Sequence, residues 1–259
     1  MPDVMSPSQS LSSVPLLLAV EIDDRGVCEY KLLLDGSIKY ITVAEGTFAK
    51  PRLSIPISTI LPPLVDDDGE EDWNCALIRR DELTGKLGTI RILQTLVGVN
   101  RLWHPVSFNV FDLKLTKQLT RATFEAVHKA TLQTAIAKIA KFGWEIIDID
   151  VETRTYQRLE GTELAPRFLG HVHEEGRVVG FLLENVPGRP ATIEDFDICR
   201  ETVLKFHRFG LVHGDLNRFN FIVHQGKAML IDFTMSTECH DRLEAMDAEL
   251  EGLRGRLME

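Results

Sequence analysis

Short apolar runs fill the first half of the chain, and apolar residues recur at helical spacing in the second. The runs at residues 16–22, 29–34, 37–43, 76–78, 88–96 and 106–113 are separated by turn residues, among them Asp35-Gly36 and Thr84-Gly85. Such runs predict strands joined by hairpins. Residues 121–127 predict a further strand, and residues 166–173 with 177–183 a hairpin. The segment 131–140 fits a strand or a helix, because TLQTAIAKIAKF also carries apolar residues at helical spacing. A helix is predicted over 151–159, with Ile149, Tyr156 and Leu159 on one face. Another runs from Thr192, paired with Asp195 as a cap, to Phe209, closed by Gly210. Leu243, Met246, Leu250, Leu253 and Leu257 then recur at steps of three and four residues. They mark one amphipathic helix that packs on the body or forms a helical dimer contact.

Two stretches break this pattern. Residues 1–13, rich in Ser and Pro, predict a flexible arm. Residues 56–72 carry Pro62-Pro63 and the acidic run of Asp66, Asp67, Asp68, Glu70, Glu71 and Asp72. They predict a solvated loop, with a recruiting surface for a basic partner as the alternative.

Composition narrows the class without naming a chemistry. The chain has 259 residues, 44% hydrophobic and 26% charged, as globular proteins do. Its formal charge of -10 argues against a dominant nucleic-acid surface, while Arg79-Arg80 and the basic residues between Lys114 and Arg121 keep a tRNA partner open. The apolar run at 14–20 is too short to span a bilayer and lacks the charged start of a signal peptide. A cytoplasmic protein with no membrane association is expected. Cys28, Cys75, Cys199 and Cys239 form no C-x-x-C pair, so reduced thiols are expected. His171 and His173 stand two apart, the spacing of one strand face, but no third metal ligand is evident.

The candidate chemistry lies in residues 211–233, LVHGDLNRFNFIVHQGKAMLIDF. His213, Asp215 and Asn220 form an H-x-D-x-x-x-x-N pattern. Apolar strands on either side of Gln225-Gly226 then bring Asn220 and Asp232 to one end of a hairpin. Phosphoryl transfer needs these groups: one carboxylate to orient or deprotonate the acceptor, and oxygen ligands for the magnesium of a nucleotide.

That order resembles the protein kinase-like phosphotransferases, and His-Gly-Asp is the form typical of aminoglycoside and choline kinase-like enzymes. More closely, residues 152–159, 165–171 and 213–223 are similar to a group of small fungal kinase-like proteins sometimes labelled α-galactosidase-like. No pair of carboxylates singles itself out for glycoside hydrolysis. The resemblance covers residues 131–233 and implies an α+β, kinase-like bilobal fold. Its expected parts are a β-rich N-terminal region at 14–115, enlarging the N-lobe or forming a small domain, an N-lobe at 116–186, and a minimal, truncated C-lobe at 187–259. Enlargement of the N-lobe is favoured, since no Gly/Ser linker separates residues 96 and 131.

The resemblance implies ATP and Mg2+ as cofactors. Asp215 would be the acceptor-orienting base, and Asn220 and Asp232 the metal ligands. Lys138 would ion-pair with the phosphates and with Glu152, Lys141 being the rival lysine. The backbone near Glu184 and Val186 would hold adenine, and Asn217 stands where the family places a catalytic-loop Lys close to the nucleotide. Three departures stand out: no G-x-G-x-x-G precedes Lys138, Gly214 replaces an Arg, and Thr234 follows Asp232-Phe233 where Gly is usual. They point to a phosphotransferase with a small-molecule acceptor. The alternatives are a pseudokinase binding module, or a kinase-like fold moving another group, adenylyl or aminoacyl from tRNA, in fungal secondary metabolism.

Overall fold

The computed structural model describes residues 15–48, 72–239 and 243–259. The arm at 1–13 and nearly all of the acidic loop lie outside the described residues. The chain divides into two compact units between Leu96 and Val97.

The first unit is one sheet. Strands β1 (Leu16–Ile22), β2 (Cys28–Leu34), β3 (Ser37–Val43), β4 (Cys75–Arg80) and β5 (Leu87–Ile92) pair in that order, antiparallel except for the parallel β3–β4 pair. The two-residue period of β2 turns Cys28, Tyr30, Leu32 and Leu34 to one face. With Ile41, Val43, Ala76 and Ile78 they close a hydrophobic core separate from that of the second unit. Asp35 (φ 49°) and Gly36 (φ 81°) make the tight β2–β3 turn that an Asp-Gly pair predicts.

The second unit begins at Val97, so the expected boundary at residue 115 falls inside a sheet. Strands β6 (Ser107–Asn109), β7 (Leu113–Gln118), β8 (Thr123–His128), β9 (Thr134–Ile139), β10 (Phe168–Glu174) and β11 (Arg177–Glu184) lie in the order β6-β10-β11-β9-β8-β7. The division needs no Gly/Ser linker, because each unit buries its own apolar face. The run at 106–113 is not one strand: Asn109 Oδ1 accepts the Phe111 N–H at 2.9 Å and caps a 3-10 turn at Val110–Asp112. The ambiguous segment becomes the strand β9 because β8 and β11 pair with it on both sides, burying Ala135, Ala137 and Ile139.

Helix α1 (Ile146–Arg158) follows β9 and buries Ile146, Ile149, Glu152 and Tyr156. It starts at Ile146 rather than Val151, so Glu152 stands in mid-helix instead of opening it. Its start signal is Glu145, whose Oε2 reaches back to the N–H groups of Lys141 (2.6 Å) and Phe142 (3.0 Å). That one-way cap lacks the Ser, Thr, Asp or Asn that usually announces one.

The remainder holds helix α2 (Phe196–His207), strands β12 (Leu211–Val212), β13 (Phe221–His224), β14 (Lys227–Leu230) and β15 (Thr237–Glu238), and helix α3 (Leu243–Arg256). Gln225 (φ 48°) and Gly226 (φ 75°) form the turn between β13 and β14. Leu253 and Leu257 are buried and Leu250 packs on the core, so the apolar stripe that suggested a dimer contact is used on the body, with Leu243 left exposed. Among the described residues no helix is long and apolar enough to cross a membrane. None of the four cysteines forms a disulfide. A bulge between Val172 and His173 breaks the common strand face expected of the two histidines, and His171 Nε2 accepts the His104 N–H at 3.3 Å.

Candidate active site

The β9 period turns Ile136 and Lys138 toward a cleft of about 380 Å³. Its walls include Glu152, Glu184, Val186, Asn220 and Asp232. Lys138 Nζ bonds Asp232 Oδ1 at 2.8 Å and is ion-paired with Glu152. Burial works against the Lys138 ammonium, but the carboxylates of Glu152 and Asp232 outweigh it and hold its pKa above the ordinary value. Burial likewise pushes the Glu152 carboxyl up against the pull of Lys138. Asp232, less deeply buried, is held below its usual range because Lys138 and Thr234 outweigh its desolvation. The rival Lys141 sits elsewhere, its ammonium 5.5 Å from the centre of the Phe124 ring.

The loop at residues 213–220 is held from several sides. His213 is fully buried; its Nε2 meets the Ile231 carbonyl at 3.0 Å, while Nδ1 accepts the Asp215 N–H at 3.4 Å. An acceptor at Nδ1 and a donor at Nε2 describe a neutral ring, in line with a pKa lowered chiefly by burial. Asn220 is buried and its amide donates to the Asp215 carbonyl (2.8 Å) and Asp215 Oδ2 (3.1 Å). Asp215 is exposed, and its Oδ1 carries no hydrogen bond from the described residues. Asn217 caps the turn at Arg218–Asn220 through Phe219 N–H (2.9 Å) and donates to Asp215, a loop-shaping position.

Three contributors escaped the sequence reading. Glu249 of α3 accepts the N–H groups of His213 (3.2 Å) and Gly214 (2.8 Å) and meets His207 Nε2 at 2.7 Å. Desolvation opposes its charge, yet the His207 bond and the two N–H donors keep its pKa below the ordinary value. Its signal was an acid at helical spacing between Met246 and Leu253 on a buried stripe. Tyr156 is the second: it stacks edge-on against Phe233 (5.1 Å), and its buried hydroxyl has no partner. The third is the cleft's roof, the β7–β8 turn, whose Leu119 and Thr120 line the cleft together with Thr123 of β8. Arg121 in that turn bonds Glu145 at 3.2 Å and lies 4.4 Å over the Trp144 ring.

A cation fits this end of the cleft as a partly filled shell. Asp232 Oδ2 and Asn220 Oδ1 carry no hydrogen bond from the described residues, and two oxygens leave the remaining positions to phosphate and water. Among the described residues no cluster of three or more His, Cys, Asp or Glu side chains offers a complete cage.

Residues 181–247 match the RIO domain family. This part of the chain is similar to kinase-like proteins. An 88-residue stretch is 39% identical to the KEOPS complex subunit Bud32 of Pyrococcus abyssi, covering 33% of this chain and 37% of that protein. A 45-residue stretch is 40% identical to the RIO-type serine/threonine-protein kinase Rio1 of Haloferax volcanii, covering 17% and 16%. A probable bifunctional tRNA threonylcarbamoyladenosine biosynthesis protein of Methanothermobacter thermautotrophicus is 30% identical over 111 residues, covering 41% and 20%. The chain thus spans well under half the length of these relatives. The matches support the kinase-like reading and its ATP and Mg2+ cofactors, and give no support to the narrower aminoglycoside-, choline-kinase-like or fungal labels.

Proposed function

We propose that this chain is an ATP- and magnesium-dependent phosphotransferase acting on a hydroxyl acceptor. One observation carries the reading. The Lys138 ammonium meets a carboxylate from α1 and another from the end of the catalytic hairpin, beside a cleft that also reaches Glu184, Val186 and Asn220. In this reading the Glu184 to Val186 backbone holds adenine, and Lys138, steadied by Glu152, holds phosphate oxygens. Asn220 Oδ1 and Asp232 hold magnesium, which neutralises phosphate charge when bound. Asp215 Oδ1, with Oδ2 fixed by Asn220, orients the acceptor hydroxyl and takes its proton. The acceptor is a small hydroxyl compound or, as the name of the Rio1 relative suggests, a protein Ser or Thr.

Titration calorimetry with and without magnesium tests the site. Magnesium-enhanced ATP binding is expected in the parent and should vanish in Asp232→Ala, with turnover down about a thousandfold. A parent that binds no ATP at millimolar concentration would end the proposal.

A second reading, as a binding module of a tRNA-modifying assembly, is favoured by the names of two relatives and by the exposed Lys114 and Lys117 of β7. It requires tRNA binding that weakens steeply with salt. Binding absent at low salt would remove it.

A further inference from the structure

Thr234 occupies the position after Asp232-Phe233, and its hydroxyl is built into the charged cluster rather than turned to solvent. It lies 2.8 Å from Asp232 Oδ1 and 3.0 Å from Glu152 Oε1, and it accepts from Lys138 Nζ at 3.3 Å. The two carboxylates repel each other and share one ammonium. A hydroxyl proton has only one direction at a time, and the shorter contact is the one to Asp232. Asp232 also has a left-handed backbone (φ 63°), which non-glycine residues adopt at a cost, so its side-chain bonds help fix where its carboxylate points. Both bonds, from Lys138 and from Thr234, fall on Oδ1. Oδ2 is left without a partner among the described residues.

We infer that Thr234 is a positioning residue for the cation: by holding Asp232 Oδ1 together with Lys138, its hydroxyl presents Oδ2 to magnesium. A glycine here would leave Lys138 as the one side chain bonded to that aspartate, free to draw it away from the metal. The hydroxyl makes the carboxylate's orientation independent of whether Lys138 stays with the aspartate or turns to a phosphate. This inference rests on the proposed function, since it presupposes a nucleotide-bound cation.

The test compares Thr234→Val, which keeps volume and removes the donor, with Thr234→Ser, which keeps the donor. Calorimetry would read ATP affinity across a magnesium series. In the valine protein the magnesium-dependent gain, measured against that protein's own affinity for ATP alone, should fall about tenfold, the worth of one hydrogen bond to a charged group. Serine should restore the gain. Thr234→Ala repeats the comparison without added bulk should the valine protein prove unstable, thermal unfolding of the nucleotide-free proteins deciding that point. A parent with no magnesium effect overturns the proposed function itself. A parent that shows the effect, with valine keeping it or serine losing it as valine does, overturns this inference alone.

Discussion

The floor and the roof of the cleft are built on opposite principles. On the floor, the Asp215 and Asn220 side chains bond each other, His213 is locked to Ile231, and Glu249 grips two loop N–H groups. The roof is a turn without glycine whose one charged anchor, Arg121, is half exposed. Phosphoryl transfer gains most from groups already in place. In the proposed function, this chain concentrates its order where the reacting atoms would sit, and a looser turn would cover the phosphates. The comparison can be broken at either end.

The floor should break most sharply at Gly214. Its φ is +82°, and an added Cβ would lie 2.4 Å from the Met235 carbonyl oxygen. A backbone atom cannot step aside as a side chain can, so an Arg, as in regulated protein kinases, has no room here. Gly214→Ala should cost about 3 kcal/mol of stability, read from denaturant unfolding, and abolish turnover in whatever protein remains folded. A variant with parental stability and turnover would show the floor to be pliable.

Glu249→Gln should come next. Removing a buried charge that accepts two backbone N–H bonds should cost about 2 kcal/mol at neutral pH. The pH dependence has a definite sign. The folded pKa of Glu249 is depressed below its ordinary 4.5, so its contribution is present above that value and is lost as pH falls through the folded pKa. The stability gap between parent and variant should therefore close below about pH 4.5. A gap that stays constant on acidification would show that Glu249 acts by packing rather than charge.

Much of the floor was legible because its chemistry is contiguous: His213, Asp215, Asn220 and Asp232 lie within one short stretch, and the Gln225-Gly226 turn folds it back on itself. Lys138 was reachable through the resemblance of residues 135–138 to a kinase strand, and Glu152 through the helix it was expected to open. Glu249 was not, because an acid on an amphipathic helix is ordinarily solvated, and only the tertiary fold brings His213 and Gly214 to it. The start of α1 hid for a related reason, its cap being a Glu reaching backward. The unit boundary hid because separation here is made by two cores, apolar faces that close on themselves, and neither Gly nor Ser marks it. Thr234 was visible as a departure, but its role depends on three partners up to 96 residues away.

The smallest effect belongs to the roof. Arg121 is held by a half-exposed ion pair to Glu145 and by the face of Trp144, interactions worth about 0.5–1 kcal/mol each at such sites. These contacts tie the β7–β8 turn to the residues that lead into α1, and so to the helix that carries Glu152. Releasing the turn should loosen the cover over the nucleotide without disturbing Lys138, Asp215 or Asp232. Arg121→Ala should therefore weaken ATP binding about threefold, seen as a higher KM for ATP, with kcat nearly unchanged. Arg121→Lys should recover only part of the loss, because an ammonium stacks on Trp144 less well than a planar guanidinium does. A tenfold fall in kcat would mean that the roof is as firmly organised for the reaction as the floor, and the contrast between them would not hold.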